Sequence, residues 1–208
     1  MKTLYQAGFV ALMWLFIYPS ISHGQRAEAP VYKNGDWWRI KHEVTRVGFD
    51  VSGTCQQAYP ENIIRIDNGK ASVFGLNGDQ QTPINCPHLL TLVLARDELK
   101  FPLYVGLAWS ASGTRQVPGM KPMNVDNKYE VASWEKITTP NGEFDVFKIT
   151  KSFLRSAAGF KGIKPSWQTQ TYFYAPSVKA VVQHRADEEN AGESFTQITT
   201  VVDFGLVQ

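Results

Sequence analysis

Most of this chain alternates apolar and polar residues with a period of two, in short runs broken by turn residues. That pattern strongly favours an antiparallel sheet. Trp37 to Thr45 sets Trp38, Ile40 and Val44 against charged Arg39, Lys41 and Glu43, and His42 falls on the apolar side. Ile63 to Ile66 leads through Asp67-Asn68-Gly69 into Ala71 to Leu76, which ends at Asn77-Gly78-Asp79. Lys128 to Thr139 and Phe144 to Phe153 flank Pro140-Asn141-Gly142-Glu143, and Asn-Gly is a strong hairpin signal. Trp167 to Tyr174 is aromatic and Thr-rich, turns at Ala175-Pro176-Ser177 and returns along Lys179 to Arg185. Thr196 to Phe204 closes the chain.

The stretches between are less periodic. Leu89 to Ala95 reads as a buried strand or a short helix, and periodicity does not separate the two. Phe101 to Trp109 reads as a further strand, residues 110–127 as a long loop and Asp187 to Ser194 as an exposed acidic loop. Residues 25–30 read as a frayed leader. The expected architecture is all-β: one curved antiparallel sheet of nine or ten strands, forming a half-barrel, a barrel or a sandwich, with little helix. Two segments echo each other, Gly35-Asp36-Trp37-Trp38 and Gly106-Leu107-Ala108-Trp109, each a Gly-x-x-Trp after a tyrosine.

The N-terminus predicts export. Lys2 precedes the uncharged run Ala7 to Tyr18, Pro19 and Ser20 break it, and Ser22-His23-Gly24 places small residues for cleavage before Gln25. The run is shorter than the roughly 20 residues a membrane-spanning helix needs. The expected organisation is a cleaved signal peptide at 1–24 and one β domain at 25–208, periplasmic or secreted from a bacterium. With 21 Lys and Arg against 19 Asp and Glu, and no basic block, no nucleic-acid partner is expected. Two cysteines, Cys55 and Cys86, suit a disulfide in an exported chain. Closing a loop of about 30 residues contributes roughly 3–4 kcal/mol in the chain-entropy picture.

Four groups of residues recur in order: Tyr32, Gly35, Asp36 and Trp38; Phe101-Pro102-Leu103, Val105-Gly106 and Trp109; Glu135, Ile137-Thr138-Thr139-Pro140, Gly142 and Phe144; and Tyr172, Tyr174-Ala175-Pro176 and Val178. Together they resemble a group of uncharacterised exported bacterial β-rich proteins, a domain of unknown function. The chain departs from that group at Asn141, usually a small residue there, and at Lys179, often glycine. The resemblance implies a curved antiparallel sheet similar to the half-barrels of lipoprotein carriers, and it assigns no catalytic residue.

The residues themselves assign none either. No nucleophile elbow, phosphate loop, dinucleotide fingerprint or zinc-protease motif occurs. His42, His88 and His184 read as strand or loop residues, and no metal or cofactor is expected. Glu130 and Glu135 differ in parity, which an unbroken strand sends to opposite faces. Arg39, Lys41, Arg46, Lys148, Lys151 and Arg155 read as solvated strand charges. The aromatics are more suggestive: Trp134, Trp167, Tyr172, Phe173 and Tyr174 fall on neighbouring strands, with Tyr172 and Tyr174 on one face and Trp167 and Phe173 on the other. They read as core packing or as the lining of an apolar concavity. The expected function is therefore a non-enzymatic envelope protein that binds a lipid-like ligand or a protein partner. A structural role through an exposed sheet edge and an unrecognised hydrolase are the alternatives.

Overall fold

The computed structural model describes residues 25–46, 59–94, 98–115, 123–155, 166–190 and 193–208. The signal-peptide segment 1–24 and Cys55 lie outside the described residues. Ten strands form one antiparallel sheet: β2 (Trp37–Arg46), β3 (Glu61–Asp67), β4 (Lys70–Asn77), β5 (Gln80–Ile84), β7 (Ala108–Arg115), β8 (Met123–Thr139), β9 (Gly142–Arg155), β10 (Ser166–Ala175), β11 (Ala180–Asn190) and β12 (Glu193–Gly205). Their order is β5-β4-β3-β2-β12-β11-β10-β9-β8-β7, so two meanders meet where β2 pairs with β12. The sheet does not close, as in a half-barrel. A separate pair joins β1 (Arg26–Ala27) to β6 (Leu103–Tyr104).

Local turn chemistry sets the hairpins. Asn68 and Gly69 both take positive φ, +50° and +73°, as the tight two-residue loop between β3 and β4 requires. At the β8–β9 turn, Pro140 and Asn141 form the two-residue loop, and Gly142, paired with Thr139, takes φ +119°, which glycine adopts at little cost.

The Gly-x-x-Trp echo is structural. Each meander enters the sheet through the same three backbone hydrogen bonds. Gly35 N–H donates to Ile66 O, Ile66 N–H returns to Asp36 O, and Asp36 N–H closes on Lys33 O. Gly106, Val131, Leu107 and Tyr104 repeat that set bond for bond. Gly35 and Gly106 have φ of +94° and +89°, a conformation open to glycine at little cost.

Leu89 to Leu94 of the expected run Leu89–Ala95 belong to a helix, α1 (Pro87–Leu94), which packs on β4 and β11 and so covers one face of the sheet, while Ala95 lies outside the described residues. Pro87 in its first turn favours helix entry, and Leu89, Leu92 and Val93 form one buried stripe. Segment 98–107 packs on the same inner face: Leu103 is fully buried and the ring of Phe101 meets Tyr174 edge-on at 5.4 Å. Beneath lie Trp38, Ile40, Ile64, Val131, Phe147 and Ile149, all fully buried. Each such side chain contributes about 1.5–3 kcal/mol by leaving water.

Four expectations need correction. The expected loop 110–127 carries most of β7 and the start of β8, a polar strand whose small side chains leave no alternation to detect. Within the expected loop 187–194, residues 187–190 and 193–194 are strand ends of β11 and β12, because the ladder pairs backbone whatever the side chains are. The expected leader is tied down, since Arg26 and Ala27 pair with Tyr104 and Leu103 and Ala27 is buried. Phe101 to Trp109 is no continuous strand, because Gly106 breaks it between β6 and β7.

Candidate functional site

Strand pairing places His42, Thr199, His184, Tyr172, Ile149 and Val131 in one row across β2, β12, β11, β10, β9 and β8. Partners directly opposite in a ladder share a face, so all six point toward the α1 side. The expected face assignment of Tyr172 and Tyr174 holds: both are almost fully buried there. Trp134 is half-buried and packs on Phe147 with ring centroids 4.6 Å apart, and Phe173 is half-buried. The backbone of Trp167 pairs with Leu154, but its side chain lies outside the described residues. Of the five aromatics, Tyr172, Tyr174, Trp134 and Phe173 are thus gathered in or against the core.

The inner face is divided. Toward Trp38, Tyr174 and Phe147 it is apolar. Toward His42 and Lys151 it turns polar, with Asn62, Thr199, Gln168 and His184 all buried. Glu98 anchors this end: it accepts from Lys151 Nζ at 2.8 Å and from the Tyr172 hydroxyl at 2.7 Å. Lys151 also lies 5.4 Å from the Tyr129 ring centroid, and Tyr129 stacks flat on Trp109 at 4.9 Å. Burial and the Glu98 carboxylate push the Tyr172 and Tyr129 hydroxyls well above the ordinary tyrosine range.

The histidines behave oppositely. Burial, aided by the His88 charge, lowers His42 to about 4. Burial, with His88 and Lys151, lowers His184 to about 3. Both imidazoles are therefore neutral near pH 7. His42 Nδ1 lies 3.1 Å from Thr199 Oγ1, and the ring of His184 lies 4.7 Å from that of Tyr172. His42 Nε2, both ring nitrogens of His184 and Asn62 Oδ1 are buried without a hydrogen-bond partner. Among the described residues no group of three or more His, Cys, Asp or Glu is arranged to hold a metal ion.

Parity in the sequence places His42 on the apolar side of β2. It gives Lys151 no such placement: expected as a solvated charge, this residue is buried and paired with Glu98. Glu98 carries no sequence signal, because its role comes from a loop crossing the sheet. The parity argument that separates Glu130 from Glu135 is overturned by a bulge between Val131 and Ser133. The two residues pair with Thr150 and Val146 of the unbroken β9, so they share a face. Four residues along a strand still separates them by about 13 Å, too far for the paired carboxylates of glycoside hydrolysis. Cys86 is buried beside α1. Among the described residues no helix is long and apolar enough to cross a membrane.

No family model and no curated protein matches this chain. The solved structures similar to it include three exported or lipoprotein chains. A presumptive exported protein with a YmcC-like fold from Bacteroides fragilis is 10% identical, with a TM-score of 0.41, covering 86% of this chain and 99% of its own. A presumptive lipoprotein from Parabacteroides distasonis is 14% identical, with a TM-score of 0.39 and the same coverages, 86% and 99%. The hypothetical lipoprotein YmcC from Escherichia coli is 7% identical, with a TM-score of 0.38, covering 79% of this chain and 83% of its own.

Proposed function

We propose that this protein is an exported, non-enzymatic binding protein of the bacterial envelope, which takes an apolar chain on the inner face of its sheet beneath α1. One observation carries the reading. The sequence of α1, Pro-His-Leu-Leu-Thr-Leu-Val-Leu, has no acidic residue in its first turn and no basic residue in its last, and Leu89, Leu92, Val93 and Leu94 are buried. Apolar burial is non-directional, so an acyl chain can occupy the surface that α1 covers at comparable free energy. The wall beneath, with Trp38, Tyr174, Phe147 and Ile64, suits such a chain.

Export rests on the N-terminal pattern, and pairing of Cys86 with Cys55 belongs to the same reading. Alkylation of the unfolded, unreduced protein leaves both thiols unlabelled if they are paired. The binding reading is tested by native mass spectrometry of protein purified without detergent from the periplasm of an expressing bacterium, before and after organic extraction. A stoichiometric extra mass that extraction removes is expected. A bare chain in both samples overturns the reading.

A second reading has its own observation. Among the described residues β7 pairs only with β8, and Ala108–Arg115 contains no proline to block its outer edge, whereas the opposite edge strand β5 contains Pro83. A partner strand can add there. Crosslinking from Ser110 to a partner protein, abolished by Ser110→Pro, would support it.

A further inference from the structure

The polar end of the inner face is too well buried and too poorly satisfied to be only a wall. His42 and His184 are 8% and 4% exposed, yet three of their four ring nitrogens lack a partner, and Asn62, fully buried, keeps its Oδ1 unpaired. A buried polar atom left unsatisfied costs about 1–3 kcal/mol, and such atoms are rare in folded proteins. Here they converge. His42 and His184 flank Thr199 in one row, with Cα atoms about 10 Å apart across two strand spacings. Asn62, which pairs with Ile40, sits diagonally beside His42 at about 7 Å on the same face.

We infer that His42, Thr199, His184 and Asn62 form a subsite for the uncharged, hydroxyl-bearing headgroup of an amphiphile whose chain occupies the adjoining apolar part of the face. This rests on the reading that the inner face binds an apolar chain. The donor set selects the headgroup. A neutral imidazole offers one donor and one acceptor, an amide oxygen accepts, and a hydroxyl does both. Lys151, a buried cation of this end, is already held by Glu98 at 2.8 Å and is not offered to an anionic headgroup. The subsite lies at one end of a continuous surface whose other end is apolar, the pattern of a molecule with a tail and a polar head.

The test uses the delipidated full chain and two probes below their micellar concentrations, 1-monododecanoylglycerol and dodecanoate. Affinities come from calorimetry, and the imidazoles are followed by nitrogen-15 NMR. The glycerol ester is expected to bind about tenfold tighter than the acid, a difference of about 1.4 kcal/mol, and to shift the His184 resonances. His184→Phe is expected to bind both probes equally, and His184→Gln to keep the preference. Thr199→Val replaces His184→Phe if that variant does not fold. Equal affinities for wild type, with unmoved imidazole resonances, overturn the subsite while leaving chain binding intact. Binding of neither probe overturns the chain-binding reading, and the subsite with it.

Discussion

The ammonium of Lys179 sits 3.0 Å from Oδ2 of Asp36, joining the turn after β10 to the entrance of β2. Asp36 is fully buried and also accepts from the backbone N–H groups of Lys33 at 2.9 Å and Val207 at 2.8 Å. Burial pushes its carboxyl upward, but these two N–H groups and the Lys179 charge outweigh it and hold the group below its ordinary value. Lys179 meets this geometry with φ +56°, a conformation that glycine adopts more cheaply. Position 179 thus trades backbone ease for an ion pair with a buried carboxylate.

That trade is measurable. Lys179→Ala loses the pair and keeps the strained backbone, and is expected to cost about 2–3 kcal/mol. Lys179→Gly loses the pair but relieves the backbone, recovering about 1 kcal/mol of that. Asp36→Ala strands two backbone donors and the lysine, for a loss of about 3–5 kcal/mol. Urea denaturation should give the order Asp36→Ala, Lys179→Ala, Lys179→Gly from most to least damaging. Equal stability of the two Lys179 variants would show that the backbone at 179 carries no strain.

Acid should loosen the fold through His42 and His184. Their folded values, about 4 and about 3, lie below the unfolded 6.5, so below pH 6.5 the unfolded chain binds more protons. Stability is therefore complete above about pH 6.5 and falls as pH drops toward 4 and then 3. By pH 4.5 each histidine accounts for a loss on the order of 2–3 kcal/mol. The groups facing them include His88 and Lys151, both of which oppose protonation. Melting temperature measured from pH 7.5 to 4.5 should fall steeply for wild type and less steeply for His184→Gln. An unchanged slope in that variant would remove His184 from the account.

Two glycines are required by contact, not by dihedral angle. A Cβ at Gly75 would run into the ring of Tyr59, and one at Gly205 into the indole nitrogen of Trp37. Gly75→Ala and Gly205→Ala should each cost about 1–3 kcal/mol. Gly205→Ala should also shift the Trp37 indole N–H resonance. Wild-type stability in both variants would mean that the rings yield freely.

Glu98 holds segment 98–107 to the sheet. Removing it leaves Lys151 buried and uncompensated, so Glu98→Ala is expected to destabilise by about 2–4 kcal/mol. It should also increase hydrogen exchange at Leu103 and Tyr104. In Glu98→Ala, Lys151→Met the loss should shrink, since an apolar side chain of similar length needs no counter-charge. A double variant worse than the single one would refute the ion-pair account.

The sequence alone determined the class of fold, because a period of two and the residues allowed in tight turns are local properties of the chain. The Asn68-Gly69 and Pro140-Asn141-Gly142 turns and the inward parity of His42 and Tyr172 are legible for that reason. The helical form of Leu89 to Leu94 is not: an apolar run of that length packs either way until the sheet offers it a groove. Nor is the strand character of residues 108–115 and 187–190, where the ladder uses backbone groups and the side chains stay polar. The bulge that puts Glu130 and Glu135 on one face, the burial of Lys151 against Glu98 and the row from His42 to His184 arise only once distant strands align. Register fixes which polar atoms meet and which stay unpaired, and register is a property of the assembled sheet.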